Sequence, residues 1–439
     1  MSESLDASVF RRRRERYMDQ IGDRGVAVIC SPPEAIRNGD VHHPFRQTSD
    51  LLYLTGFVEP ETTLVLRPEA KQAVVLFVRP RDPERETWDG RRAGVAGAVA
   101  DYGADVAYPM AELNERLPSL LANRDDLYYS VGVDADADRL ITATVGQLRA
   151  RARRGEKPPR RIVDPAGVLH EMRLHKTDEE LAIMRRAAAI TAEAHIEAMR
   201  TAAGGVGEYE LEALVNYTFR RRGGSGPGYS TIVGSADNAT ILHYTENDRV
   251  VRDGELILID AGCEVTGYTA DVTRTFPVNG TFSDAQRRVY EVVLAAETAG
   301  IEMTRPGVTI GDIHKRCVQV LTAGMVELGL LKGPVADRIS DESYKRFYMH
   351  RTSHWLGMDV HDVGAYLDGD ASRPLEPGMV LTIEPGLYIA AGSKGVDAAM
   401  LGIGVRIEDD VLVTADGCSV LTEAVPRTVE DVERTCRGQ

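Results

Sequence analysis

The chain has 439 residues, 43% hydrophobic and 27% charged, an ordinary globular composition that excludes disorder, collagen and coiled coil and, at about 150 residues per domain, suggests two or three domains. Its 52 basic residues face 67 acidic ones, a net charge of −15, so contact with nucleic acid would release no counterions and no DNA or RNA partner is expected. Cys30, Cys263, Cys317, Cys418 and Cys436 are scattered and form no C-x-x-C pair, which excludes a disulfide framework and a thiolate zinc cluster.

In chain order, the run Arg11-Arg12-Arg13-Arg14 lies beside Glu15 and Asp19 and reads as the solvated face of a helix. Residues 26–30, 51–55, 63–66 and 72–78 are short β-rich runs, and 111–121 and 137–152 read as helices. The basic, proline-containing stretch 151–161 reads as a surface loop. Thr177 and Glu180 have the spacing of a capping box and open a long helix reaching residue 200. The expected division is an N-terminal mixed α/β domain, 1–173, and a second domain, 174–439. In the second, a glycine-rich loop at 223–228 lacks the phosphate-binding G-x-x-x-x-G-K-[ST] pattern. Helices are expected at 283–304 and 310–328, and strands at 379–384 and 405–413. Strands and helices in blocks rather than strict alternation point to an α+β domain with an antiparallel sheet. No apolar run approaches the ~18 residues of a membrane span and the start has no apolar signal segment. A cytoplasmic protein without a membrane partner is the expectation.

Carboxylates at the ends of apolar strands need an explanation. Leu256-Ile257-Leu258-Ile259 runs into Asp260, a turn follows near Thr266, and the returning strand carries Asp271. A hairpin centred between Val265 and Thr266 sets the two aspartates directly opposite, with Cβ atoms ~4.5–5.5 Å apart. Like charges that close on an apolar sheet require a shared proton or a cation. Another apolar strand ends in Glu384, the alternation Val405-Arg406-Ile407-Glu408 puts Arg406 and Glu408 on one face, and His354 and His361 punctuate a mostly apolar stretch. Four acids and one imidazole match the charge of two divalent ions and suit Mn²⁺, Co²⁺, Fe²⁺ or Zn²⁺ rather than a thiolate-favouring metal. Such a pair of ions activates water, which makes a two-metal hydrolase the reading of the residues alone. Cys263 falls in the expected turn and reads as inert.

These motifs, Ile259-Asp260-Ala261-Gly262, Asp271-Val272-Thr273-Arg274-Thr275, Ser353-His354-Trp355-Leu356-Gly357, Asp359-Val360-His361-Asp362, Ile383-Glu384-Pro385-Gly386-Leu387-Tyr388 and Arg406-Ile407-Glu408-Asp409, resemble in order and spacing those of the Xaa-Pro aminopeptidases (aminopeptidase P) of the pita-bread metallopeptidase superfamily. The segment from Arg46 to Gly56 resembles that family's leading domain, so the likeness spans nearly the whole chain. The resemblance implies an α+β architecture, an N-terminal mixed α/β domain for association and substrate access followed by a catalytic pita-bread domain. It implies release of the N-terminal residue from peptides with proline second, by hydroxide activated at a dinuclear centre, most often with Mn²⁺. Asp260, Asp271, His354, Glu384 and Glu408 would bind the metals, Asp271 and Glu408 bridging both. His243, His361, Glu384 and Arg406 would form the catalytic group, and His243, His361, Tyr388 and Trp88 would contact substrate. A dimer or tetramer is implied, with Trp88, on a loop from Arg85 to Arg92, reaching toward a neighbouring subunit's site; the competing reading of Trp88 is a partly buried anchor within its own domain. Here Arg351-Thr352 stand where relatives carry small or varied residues. The nearest alternative is a prolidase acting on Xaa-Pro dipeptides. A metal-free relative serving as a creatinase-like hydrolase or a binding module is disfavoured because all five ligand positions are filled.

Overall fold

In the computed structural model, which describes residues 5–438, the chain divides between Met172 and Arg173. The N-terminal unit is built on a six-stranded mixed sheet. From edge to edge its strands are Val106–Pro109, Val74–Val78, Thr63–Leu66, Gly25–Cys30, Asp126–Tyr128 and Arg161–Val163. The strands Thr63–Leu66 and Val74–Val78 are buried along their whole length because both faces are covered. Val26, Val28, Val65, Val75 and Phe77 pack on one face with Leu117, Leu121, Ile141 and Leu148 from the helices Leu113–Leu121 and Ala135–Arg151.

Three expectations fail in this unit, the first two for one connected reason. Residues 51–55, expected as a strand, belong to the short helix Ser49–Thr55. Its last turn is closed by the Gly56 N–H on the Leu52 carbonyl and by the Thr55 hydroxyl on the Leu51 carbonyl. Helix ends leave carbonyls without intrahelical partners, and here arginines supply the donors. Arg13 Nη1 donates to Tyr53 O at 3.0 Å and Arg14 Nη1 to Leu54 O at 2.8 Å, with the Arg13 guanidinium 4.0 Å from the Tyr53 ring centroid. Half of the supposedly solvated basic run is therefore buried structure, while Arg11 and Arg12 stay exposed. Trp88 lies on the short helix Pro83–Asp89, capped by Asp82, rather than in a loop. It is 82% exposed, so it is no anchor within its own unit.

In the C-terminal unit, helices Asp178–Thr201 and Glu208–Arg221 pack together, as do Asp284–Met303 and Ile310–Glu327. They flank short antiparallel sheets. One orders Ile232–Ser235, Leu256–Asp260 and Thr273–Pro277; another orders Val380–Ile383, Asp409–Val413 and Cys418–Val420; a third pairs Gly386–Ile389 with Ile403–Arg406. Leu381, Ile383, Val411 and Val413 form a core with Trp355, Ile313 and Cys317.

The hairpin register differs from the sequence expectation. The turn residues are Thr266 and Gly267, both at positive φ (51° and 83°), as a two-residue hairpin turn requires. The turn thus sits one residue later than expected, and Val265 pairs with Tyr268. Asp260 consequently faces Thr273, and Asp271 lies in the break between the strands Tyr268–Thr269 and Thr273–Pro277. Cys263 is not in the turn either. It opens the buried strand Cys263–Val265, and burial pushes its thiol up to about 12, which leaves it inert. The run expected at 405–413 is two strands in different sheets, broken at Ile407-Glu408. Among the described residues no helix is long and apolar enough to cross a membrane.

The capping box forms as the sequence predicts. The Thr177 hydroxyl accepts from Glu180 N, and the Glu180 carboxylate accepts from Thr177 N. Thr177→Ala should cost about 1 kcal/mol of stability, read as a lowered denaturant midpoint with unchanged slope.

Candidate metal and active site

Four backbone segments meet at one cavity of about 740 Å³. The strand Leu256–Asp260 delivers Asp260 at its end, and Asp271 follows beyond the turn. The pairing of Ile383 with Asp409 puts Glu384 across from Glu408, one step past the end of that ladder. Glu408 N donates to Thr273 O at 3.1 Å, which splices this pair of strands onto the hairpin. The segment holding His354 lies alongside Val380–Ile383, with Thr382 N on His354 O and Glu384 N on Thr352 O. Asp260, Asp271, His354, Glu384 and Glu408 all line the cavity, with His243, His361, Arg406, Tyr229 and Arg351.

One ligand atom each from Asp271, His354 and Glu408 lie within 4.8 Å of one another, a cluster able to hold a metal ion. The orientation of His354 fits that use. Its Nδ1 is 3.0 Å from the Trp355 carbonyl, which can only accept, so Nδ1 carries the proton and Nε2 is turned toward the acids, 3.3 Å from Asp271 Oδ2 and 3.7 Å from Glu384 Oε1. Electrostatics point the same way. Burial, then repulsion from Asp271, Glu384 and Asp260, pushes the Glu408 carboxyl well above the usual range. Burial likewise raises Asp271 and brings Glu384 to about 7. Burial opposes charge on His354, but the contact with Asp271 prevails and lifts it to about 9. Buried acids packed this closely call for added positive charge, which protons or metal cations can supply.

The surroundings brace this cluster. Arg406 Nη2 donates to Asp260 Oδ2 at 2.6 Å, its Nε to the Thr273 hydroxyl at 3.0 Å and its Nη1 to the Tyr388 hydroxyl at 3.2 Å. The Thr273 hydroxyl in turn donates to Glu408 Oε2 at 2.6 Å, so Arg406 and Glu408 converge on one threonine despite the strand break between them. Tyr388, expected at the substrate, is buried behind the wall and holds His350 Nε2 at 2.8 Å. Burial, with Arg406 nearby, takes His350 down to about 3, so it is neutral. His361 lines the cavity with its ring centroid 4.5 Å from that of His354. Trp88 belongs to the N-terminal unit.

Two contributors lie outside the residues that the sequence analysis singles out. The Tyr229 hydroxyl lies 2.6 Å from Asp260 Oδ1 and 2.5 Å from Asp271 Oδ1 and ties the two aspartates together in place of direct strand pairing. Asp410 accepts the Asp271 backbone N–H. Only Asp410 had an available signal, as an acid inside an apolar strand.

The family model for metallopeptidase family M24 matches residues 182–415, and that for the aminopeptidase P N-terminal domain matches residues 10–129. The chain is 45% identical over 435 residues to the Xaa-Pro aminopeptidase of Escherichia coli K12, covering 99% of this chain and 98% of that one. Among solved structures it is similar to an aminopeptidase from Pseudomonas aeruginosa, at 48% identity and TM-score 0.97 with 99% of each chain covered. It is also similar to a zinc-substituted E. coli aminopeptidase P in complex with product, at 44% identity and TM-score 0.96 with 99% of each covered. The expected architecture, a mixed α/β N-terminal domain followed by a pita-bread domain, is the one these matches have, and the chain belongs to metallopeptidase family M24, in its aminopeptidase P group.

Proposed function

We propose that this chain is a metal-dependent Xaa-Pro aminopeptidase that releases the N-terminal residue from peptides with proline at the second position. The observation that carries the reading is the convergence of Asp260, Asp271, His354, Glu384 and Glu408 on one cavity beside His243 and His361. The five would hold two divalent ions; oxygen-rich ligation with one imidazole favours Mn²⁺. When bound, the ions supply an activated water and polarise the scissile carbonyl.

The chain's own groups do the rest. His243 and His361, which line the same cavity, would donate to the developing oxyanion. Glu384 carries a proton toward the leaving prolyl nitrogen. Arg406 acts through Asp260, whose carboxylate it holds. A prolyl nitrogen has no N–H to offer, so recognition rests on ring shape against Ile232, Leu242, Val360 and Tyr366 and on the substrate ammonium against the carboxylates. We place the enzyme in the cytoplasm, since all five cysteines are free thiols. Residues 1–173 serve association and substrate access and residues 174–439 catalysis, in a dimer or tetramer in which exposed Trp88 reaches a neighbouring subunit.

Hydrolysis of Gly-Pro-X peptides should vanish on chelation and return best with Mn²⁺, while a Gly-Pro dipeptide is cleaved poorly. Full activity after exhaustive demetallation, or preference for the dipeptide, overturns the reading. Asp271→Asn and His354→Ala should each lose metal by elemental analysis, whereas His361→Ala keeps its metal and loses ~10²–10³-fold in kcat. Light scattering should show an oligomer, and Trp88→Ala should raise KM for longer peptides more than for the shortest while metal content stays constant. A monomer, or unchanged kinetics at every length, removes the role given to Trp88.

A further inference from the structure

The segment that carries His354 and His361 is fastened from behind by a buried ionic cluster. Asp362 follows His361 directly, and its carboxylate lies between two cations: Oδ1 is 2.6 Å from Arg173 Nη2 and Oδ2 is 3.1 Å from Lys176 Nζ. Arg173 Nη2 also reaches Asp359 Oδ2 at 2.7 Å. Asp362, Lys176 and Arg173 are only 4%, 6% and 3% exposed. Buried ion pairs of this kind give little net stability compared with apolar residues of the same volume, because desolvation cancels most of the attraction. What such a cluster does supply is a fixed position.

The local backbone is shaped around it. Asp362 N donates to Trp355 O at 2.9 Å and Gly357 N to Asp359 O at 3.2 Å, so residues 355–362 close on themselves. Gly357 is required there: a Cβ would stand 2.1 Å from Asp362 Oδ2 and 3.0 Å from Lys176 Cε. Thr269 N on Gly357 O, at 3.0 Å, ties the loop to the strand that precedes Asp271. His361 is the last residue before the closure, so a shift of Asp362 moves its imidazole in the cavity while the backbone bonds of His354 to Thr382 remain.

We infer that Asp362, clamped by Arg173 and Lys176, is a positioning residue that sets His361 against the reacting carbonyl. This rests on the reading of His361 given above. A misplacement of about 1 Å can cost ~10²-fold in rate, so Lys176→Met should lower kcat by ~10- to 100-fold on a Gly-Pro-X peptide, with KM within about threefold and metal content unchanged. Lys176→Arg, which restores the charge, should return kcat to within about threefold. In a His361→Ala background, Lys176→Met should cause no further loss, since the group through which it acts is gone. Should Lys176→Met fold poorly, Asp359→Asn removes one outer contact of Arg173 at a half-exposed site; it should lower kcat by ~3- to 10-fold, again only while His361 is present. A His361→Ala enzyme with wild-type kcat removes the underlying reading. With His361→Ala impaired, wild-type kcat in Lys176→Met, a loss that tracks metal loss, or a full additional loss in the double variant overturns the clamp alone.

Discussion

Four buried carboxylates converge on one cavity, and their mutual repulsion is the condition that the surrounding structure has to meet. Two unit charges 4 Å apart interact by about 4 kcal/mol at an effective dielectric of 20, and a whole domain is stable by only about 5–15 kcal/mol. Several uncompensated pairs would therefore consume the fold's stability. The acids persist because each is tied separately, through its backbone or its carboxylate. Asp260 is held by Arg406, Asp271 through its N–H by Asp410, Glu384 through its N–H by Thr352 O, and Glu408 by Thr273 from both backbone and side chain. The remaining charge is left for cations to balance, which turns an electrostatic cost into affinity for metal.

Behind the cavity the same logic repeats at depth. Arg274 is wholly buried and donates to the carbonyls of Thr273 and Glu408 and to Asp409 Oδ1 at 2.7 Å. It fastens the two strands whose ends present Asp271 and Glu408. Asp409 is also held by Arg427, which reaches Glu297. Burial, then repulsion from Asp409, pushes the Glu297 carboxyl well above the usual range. Buried charge of this kind is costly relative to an apolar core. Its presence next to the ligands fits a centre in which position matters more than stability.

Much of the site was legible because ligand-bearing strands write themselves plainly: an apolar run closed by an acid at 260 and 384, and an alternating pair at 406 and 408. The aspartate pair was found by a register that was two positions off in its pairing. The side chains still met because moving a hairpin turn by one residue preserves which face each residue occupies. Tyr229 remained invisible for the opposite reason. It follows a glycine-rich loop with no periodic signal, and its importance lies wholly in which carboxylates come within reach of its hydroxyl.

From residues alone came the element types of the long periodic segments, the capping box at Thr177, the apolar strands and the acids at their ends, since these depend on neighbours within a few positions. Contacts between distant segments were decided only in three dimensions. Arg13 and Arg14 look like a solvated charge run until the helix Ser49–Thr55 presents its open carbonyls to them. Tyr388 shares a motif with Glu384 yet points behind the wall, because His350 and Arg406 are its partners. Nothing local in the motif that ends at Asp362 shows that Arg173 and Lys176, nearly two hundred residues earlier, close around it. A charged side chain is read correctly only when its partner is known, and pairing across such distances in the chain is a property of the folded packing rather than of local sequence.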